Sequence, residues 1–365
     1  MPDRLLHIGV DGRELLGQPT GVGRYVNRIL QQWTPDRGFP HKLSVFVPTA
    51  PPAELAASLA NARWHVEGGR RGGTLWEQGR LPAAVRRTGV DVLFAPGYTA
   101  PFRLSCPFVV TIHDVSFFAH PEWFGWREGL RRRWLTRQTA RRAAAVTTVS
   151  NFSAGEIVRW LGVPGSSIRL APPGPPDVVG GPEGPRDPTV LFVGSLFARR
   201  RIPELVRAFA LVQRRVPGAR LIIVGGARTP RVDPVALATR LGIESAVRWR
   251  EYVTETELTA IYGQARAFAF LSDYEGFAIT PLEALAHDTP IVLLDTPVSR
   301  EIYGDAALLV PADERAIADA LERVLTDGGL RAALVRAGRD RLAAFSWTRT
   351  ADVVQAALED AARRP

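Results

Sequence analysis

Apolar positions along this 365-residue chain follow two alternating patterns. One is a set of short unbroken runs. The first half holds LLHIGV, KLSVFVP, DVLFAP, PFVVTIHD, AAAVTTVS and SIRLAPP; the second holds TVLFVG, RLIIVGG, AVRW, AFAFLS, PIVLLD and AALLVP. Runs of this length without polar alternation are what strands covered on both faces look like. Between them lie segments such as IPELVRAFALVQRR and ERAIADALERVL, whose apolar residues recur three and four apart. That is the period of a helix with one buried face. Strand alternating with helix predicts parallel sheets joined by right-handed crossovers.

The chain is too long for one ordinary core. Its composition breaks once, at PPGPPDVVGGPEGPRDP, residues 172–188. Proline and glycine at that density cannot sustain a core, so the stretch predicts a linker between two doubly wound domains. Ligands of such folds bind outside the carboxyl ends of the strands. The crevice between the two domains is therefore the expected site, and its residues should stand just after strands.

Composition narrows this picture without redirecting it. Mean hydropathy is −0.03 and the apolar runs are strand-sized, so no segment predicts a membrane span. MPDRLLHIGVDG reads as a first buried strand rather than a signal peptide. Cys106 is the only cysteine, which excludes a disulfide scaffold and a thiolate metal site and fits a reducing cytoplasm. The net charge of +9 comes almost entirely from arginine, Lys42 being the only lysine. The excess favours anions, phosphates and acidic lipids among them. No finger spacing or aromatic-basic alternation accompanies it, so nucleic acid is not an expected partner.

Three loops could meet a phosphorylated ligand. After LLHIGV, Gly21 and Gly23 precede Arg24, Tyr25 and an amphipathic stretch, and glycines at a helix start let backbone amides approach an anion. Val26 stands where a dinucleotide fingerprint needs its third glycine, so a plain tight turn is the alternative. In TVLFVGSLFARRRIPELVRAF a strand ends at Gly194, and Arg199, Arg200 and Arg201 come just before a helix with Pro203 in its first turn. Cations there oppose the helix dipole, so the trio calls for an anion, and guanidinium forks suit a diphosphate. A solvated basic helix start is the plainer alternative. The third loop is SDYEGFAITPLEALA. Thr280 to Glu283 fits a capping box, whereas Glu275, before Gly276, has no such structural reason and could accept hydrogen bonds from sugar hydroxyls.

At this point the sequence resembles the retaining glycosyltransferase family 4. YEGFAITPLEALAHDTPIV is similar to that family's signature of two glutamates with seven residues between them, and VGSLFARRR to its strand, loop and basic pair. GVGRY, TIHDVSFFAHPEWF, TVSNFSAGEI, GDAALLV and the late FSW follow in the family's order. The resemblance implies a GT-B fold, two Rossmann-like α/β domains facing each other across a cleft. Residues 1–175 would form an acceptor domain and 176–346 a nucleotide-sugar domain, with a terminal helix in 347–365 packing back on the first. It further implies that Glu275 holds the transferred sugar, with the Gly276, Phe277 and Ala278 backbone nearby, and that Glu283 holds the ribose. Arg199 and Arg200 would grip the diphosphate after Gly194. Gly21 and Gly23 would close over it, and His113 would face sugar and acceptor.

Some positions depart from the family. Arginine stands at 200 where lysine is usual. Ala278 replaces a glycine, which is costly if the backbone there needs positive φ. Thr280-Pro281 shifts the usual proline by one place, and His287-Asp288 replaces a small residue and glycine.

The implied reaction moves a hexose from a nucleotide sugar to a hydroxyl of a glycan or lipid-linked acceptor, with retention and without a metal. The landmarks are most similar to bacterial mannosyltransferases of polysaccharide and O-antigen assembly. GDP-mannose is the donor this favours, with a UDP-sugar as the alternative; no cofactor is expected. A nucleotide-sugar epimerase of the same fold and a non-catalytic binding relative are the rival readings. Finally, PEWFGWREGLRRRWLTRQTARRAAA sets Trp123, Trp126, Leu130 and Trp134 in a helical stripe among arginines. Packing of that stripe on the N-terminal sheet is the first expectation. Contact with anionic lipid at a membrane surface is the alternative.

Overall fold

The computed structural model describes residues 5–17, 21–68, 73–177, 180, 184, 186–228 and 232–363. Parts of the predicted linker 172–188, and the three residues before Gly21, lie outside the described residues. The chain divides into two compact units, Met1–Gly174 with Ser346–Pro365, and Pro175–Phe345.

Each unit is a parallel sheet flanked by helices, and every one of the twelve apolar runs supplies a strand. The N-terminal sheet has β1 (His7–Asp11), β2 (Lys42–Val47), β3 (Ala62–Val66), β4 (Val92–Ala95), β5 (Phe108–Thr111), β6 (Ala145–Thr148) and β7 (Ile168–Leu170) in the order β3-β2-β1-β4-β5-β6-β7. The C-terminal sheet has β8 (Asp187–Val193), β9 (Arg220–Val224), β10 (Val247–Arg250), β11 (Ala265–Phe270), β12 (Ile291–Leu294) and β13 (Ala307–Val310) in the order β10-β9-β8-β11-β12-β13. β3 was not anticipated. Its sequence, ARWHV, mixes arginine and histidine with apolar residues because it is an edge strand, paired only with β2 and buried on neither face.

Central strands form where the pattern demands burial on both sides. Ile8, Val10, Val45, Leu93 and Val109 are fully buried in one sheet, as are Val190, Leu191, Leu221, Phe268 and Val292 in the other. Each such side chain contributes about 1.5–3 kcal/mol of transfer free energy. In both sheets the strand order reverses beside the first strand. Loops after β1 and β4 diverge in one unit, and loops after β8 and β11 in the other. Those strand ends are the two topological switch points, where an open α/β sheet leaves a crevice.

The Trp347–Ala362 helix belongs to the N-terminal unit although it follows the C-terminal one in sequence. Ser346 caps it, its side chain accepting from the Arg349 amide. Val354, Ala357 and Leu358 are fully buried, and Ala351 accepts a bond from the Trp33 indole (3.3 Å). The helix enters so close to Gly174 that a Cβ there would lie 2.5 Å from the Trp347 nitrogen, so only glycine fits.

One helix departs from expectation. The Trp126–Arg142 helix turns Trp126, Leu130 and Trp134 outward, at 71%, 52% and 58% exposure. It buries Gly129, Leu135, Thr136, Thr139 and Ala140 instead. Small and hydroxyl-bearing residues allow close approach, and the Thr139 hydroxyl accepts from the buried Ala100 amide (3.3 Å). The tryptophan stripe therefore does not pack on the sheet. Among the described residues no helix is long and apolar enough to cross a membrane.

Candidate active site

The C-terminal switch point gathers charge. Gly194 follows β8 at a φ of +148°, and its lack of a Cβ leaves room for the Arg200 guanidinium; a Cβ there would stand 2.2 Å from Arg200 Nη1. Arg199 and Arg200 lie in a short 3-10 turn, and Arg201 takes a left-handed backbone (φ 49°) before the Ile202–Arg215 helix, with Pro203 in its first turn as expected. The neighbouring loop follows β11. The Asp273 amide donates to the Arg199 carbonyl (2.9 Å) and joins the two loops.

Glu275 is the meeting point. Its Oε1 accepts from Arg200 Nε (3.2 Å) and from the Ser272 hydroxyl (2.8 Å), and lies 3.7 Å from Arg199 Nε. Arg200 also donates to the Ser195 carbonyl (3.1 Å), and its guanidinium stacks over Phe270. Burial lowers the Arg200 pKa, and the Glu275 carboxylate opposes that shift. Arg201 pairs with Asp273 (2.7 Å). The anion that three arginines at a helix start required is thus carboxylate from the β11 loop. With only 14% of the Arg200 and Glu275 side chains exposed, this is a shielded pair. Removing one member of such a pair costs about 3–5 kcal/mol, against about 0–1 for exposed ions.

The loop beyond Glu275 corrects one expectation. The Ile279–Ala286 helix begins one residue after Ala278, so Thr280 lies inside it and there is no Thr280–Glu283 capping box. Glu283 instead accepts from the Tyr262 hydroxyl (2.9 Å). Tyr262 stacks on His287, 5.3 Å between ring centroids. Ala278 holds φ at +66°, a conformation that costs a residue with a Cβ about 1–2 kcal/mol. Its carbonyl accepts from the Tyr303 hydroxyl, which burial and the nearby Glu283 keep protonated well beyond the usual range. Phe277 is buried with its ring edge-on to Phe345 (5.2 Å), which fixes the Gly276–Ala278 backbone.

The N-terminal unit gathers rings where the other gathers charge. Gly21 and Gly23 lie within the Gly21–Gln32 helix. Two residues on, buried Tyr25 donates to the Ala171 carbonyl (2.9 Å) and stands edge-on to His113 at 4.9 Å. His113 follows β5 and its Nε2 donates to the Pro96 carbonyl (3.0 Å), which sets the tautomer when the ring is neutral. Burial lowers its pKa below the ordinary 6.5, so it is neutral at physiological pH. Tyr98, left-handed at φ 67° after β4, packs beside His113 and donates to Asp114 (3.1 Å). Closer to β1, Arg13 bridges Asp11 (2.7 Å) and the buried Glu77 (2.8 Å).

Tyr98, Asp114, Tyr262 and Tyr303 were not picked out in the sequence. Asp114 could have been found beside His113, and Tyr98 in the strand-end PGY. Tyr262, in the Glu255–Gln264 helix, and Tyr303, just after the Pro297–Ile302 helix, are distant in sequence and carry no local signal.

Residues 19–176 match the family described as Glycosyltransferase Family 4, and residues 181–341 match Glycosyl transferases group 1. The chain belongs to glycosyltransferase family 4. This family 4 enzyme is 28% identical to the O-antigen chain mannosyltransferase B of Escherichia coli over 280 residues, 70% of this chain and 71% of that protein. It is 34% identical to the D-inositol 3-phosphate glycosyltransferase of Saccharomonospora viridis over 185 residues, 47% of this chain and 42% of that one. Among solved structures, Anabaena Alr3699/HepE in complex with UDP and glucose matches with a TM-score of 0.77 at 18% identity, covering 98% of this chain and 100% of that one. At that identity the likeness shows the fold, which is GT-B. The glycosyltransferase assignment thus rests on sequence kinship.

Proposed function

We propose that this glycosyltransferase moves a hexose from a nucleoside diphosphate sugar to a hydroxyl of a glycan or lipid-linked acceptor, with retention of configuration. The observation that carries the reading is the Glu275, Arg199 and Arg200 cluster at the C-terminal switch point. Breaking the bond between C1 of the sugar and the phosphate oxygen leaves positive charge on the ring and negative charge on the diphosphate. Arg199 and Arg200 meet the second, a preorganised electrostatic role. Glu275 meets hydroxyls of the sugar, since a carboxylate accepts where guanidinium only donates. Their mutual ion pair holds both in place until a donor separates them: the diphosphate takes the guanidiniums and the sugar takes the carboxylate.

Glu283, held by Tyr262, accepts from the ribose hydroxyls, and the backbone of Gly194 and of Gly276, Phe277 and Ala278 lies against the donor. Gly21 and Gly23 supply helix-start amides, and neutral His113 offers a ring nitrogen to sugar or acceptor. The new bond forms from the acceptor oxygen to C1 on the face the phosphate leaves, and the acceptor proton passes to the departing phosphate oxygen. No protein nucleophile is needed. Guanidinium charge serves the leaving group, so the reaction runs without a metal, in the cytoplasm. Kinship with O-antigen mannosyltransferase B favours GDP-mannose. The UDP and glucose bound by HepE make a UDP-linked sugar the second candidate.

A thermal-shift screen of GDP- and UDP-sugars, followed by transfer assays with and without EDTA, tests this reading. The right donor raises the midpoint, and Glu275→Ala abolishes discrimination among sugars while the bare nucleotide still binds. Normal turnover by Glu275→Ala would overturn the assignment.

A further inference from the structure

We propose that His287 and Tyr262 are positioning residues for the nucleotide ribose, a role that rests on the reading of Glu283 as the group that meets its hydroxyls. Their stacked rings fix the Glu283 carboxylate, and so set how strongly this chain prefers a nucleotide that carries both ribose hydroxyls. Glu283 lies in the Ile279–Ala286 helix and His287 directly after it, four residues on. Side chains four apart stand one above the other on a helix face. Tyr262, from the Glu255–Gln264 helix, lies across both. Its ring stacks on His287 with centroids 5.3 Å apart and planes 12° from parallel, and its hydroxyl donates to Glu283 Oε2 (2.9 Å).

The stack is held from several sides. Tyr262 and His287 are 2% and 6% exposed, and Phe268 packs on the tyrosine ring at 5.8 Å. The Thr289 hydroxyl donates to the Tyr262 carbonyl (2.8 Å), and Arg186 donates to that hydroxyl (2.9 Å) and to the His287 carbonyl (2.8 Å). One guanidinium thus ties together the backbones that carry both rings. Burial first, and then the Arg186 charge, lower the His287 pKa, so the ring on Tyr262 is neutral at physiological pH. Histidine, in place of the small residue usual at position 287, is what supplies the second ring. A glutamate loses rotamer freedom when it grips a ligand, and a bond to a fixed phenol takes that loss before the ligand arrives. A carboxylate accepts about four hydrogen bonds, so the one from Tyr262 leaves capacity for ribose hydroxyls.

The test uses the full chain and isothermal titration calorimetry. GDP and UDP are each compared with their 2′,3′-dideoxy counterparts, and the affinity ratio within the better-bound pair is the preference for ribose hydroxyls. Glu283→Ala is expected to erase that preference. Tyr262→Phe keeps the ring and removes its hydroxyl; it should cut the preference about tenfold and leave affinity for the dideoxy nucleotide within about twofold. His287→Ala should cut the preference about fivefold, and His287→Phe, which restores a ring, should return most of it. A merely structural role would weaken both nucleotides alike. No preference in the wild type, or one that survives Glu283→Ala, overturns the ribose reading and this inference with it. A preference erased by Glu283→Ala but unaltered in Tyr262→Phe or in folded His287→Ala overturns this inference alone. So does equal weakening of both nucleotides by Tyr262→Phe. Thermal unfolding checks each variant, and Tyr262→Phe, nearly isosteric, carries the test if His287→Ala does not fold.

Discussion

The loops after β8 and β11 place two guanidiniums within 3.7 Å of one carboxylate, Glu275. The loops after β4 and β5, in the other sheet, present the neutral rings of Tyr98 and His113, with Tyr25 reaching His113 from a neighbouring helix. Both clusters stand at the carboxyl end of a doubly wound parallel sheet, yet one is centred on an ion pair and the other on neutral rings. In our reading the difference follows the chemistry. A departing diphosphate needs compensating positive charge, whereas an incoming hydroxyl needs hydrogen-bond acceptors and no competing cation. Burial enforces the contrast, since it lowers the pKa of both Arg200 and His113. Arginine stays charged despite this, while histidine is held neutral.

Replacing charge at the first cluster is the harshest way to break this comparison. Glu275→Gln should lower transfer by about 10²–10³-fold, the usual loss of one transition-state contact. It should also lower the thermal midpoint, because Arg200 is left shielded without its partner. Next comes Arg200. Arg200→Ala should lose about a hundredfold in transfer rate, whereas Arg200→Lys should retain activity within several-fold, since a point charge still faces the phosphate. If lysine fails as badly as alanine, the planar fork and its bond to Ser195 matter more than charge.

At the neutral cluster, His113→Asn should lose about ten- to a hundredfold, one hydrogen bond's worth. The pH profile sharpens the point. The folded pKa of His113 lies below the unfolded 6.5, so below that pH the unfolded chain takes up a proton first. Stability tied to neutral His113 is intact above pH 6.5 and lost as pH falls beneath it. His113→Asn should therefore show a shallower acid loss in denaturation midpoints measured from pH 7.5 to 5. His7, His65 and His287 shift in the same direction and remain in both proteins, so the difference isolates His113.

The smallest expected effect is a gain. Ala278→Gly removes a Cβ from a left-handed position and should stabilise the protein by about 1 kcal/mol in urea titration, leaving charge at both clusters unaltered.

Much of this was legible along the chain. Strands buried on both faces leave uninterrupted apolar runs, which is why every run became a strand and why β3, at an edge, left none. Glu275, Arg199 and Arg200 stand directly after strands, where local order already places them on one rim. What could not be read was tertiary choice. Thr280-Pro281-Leu282-Glu283 has the letters of a capping box, but a left-handed Ala278 starts the helix earlier and Tyr262 claims Glu283. The tryptophan stripe has the period of a core face, yet threonines and small residues of the same helix pack more closely inward. Periodicity reports that a helix has an apolar face; which face meets the sheet depends on the residues it would meet.

The Trp347–Ala362 helix also has a consequence for biogenesis. A ribosome releases β1 through β7 early, but the element that covers Trp33 and closes that sheet emerges only after all of the C-terminal unit. The second unit can fold while the first still awaits its last piece. A nascent chain stalled before residue 346 would leave the apolar seat of Val354 and Leu358 uncovered, open to the non-native contacts that exposed apolar surface invites.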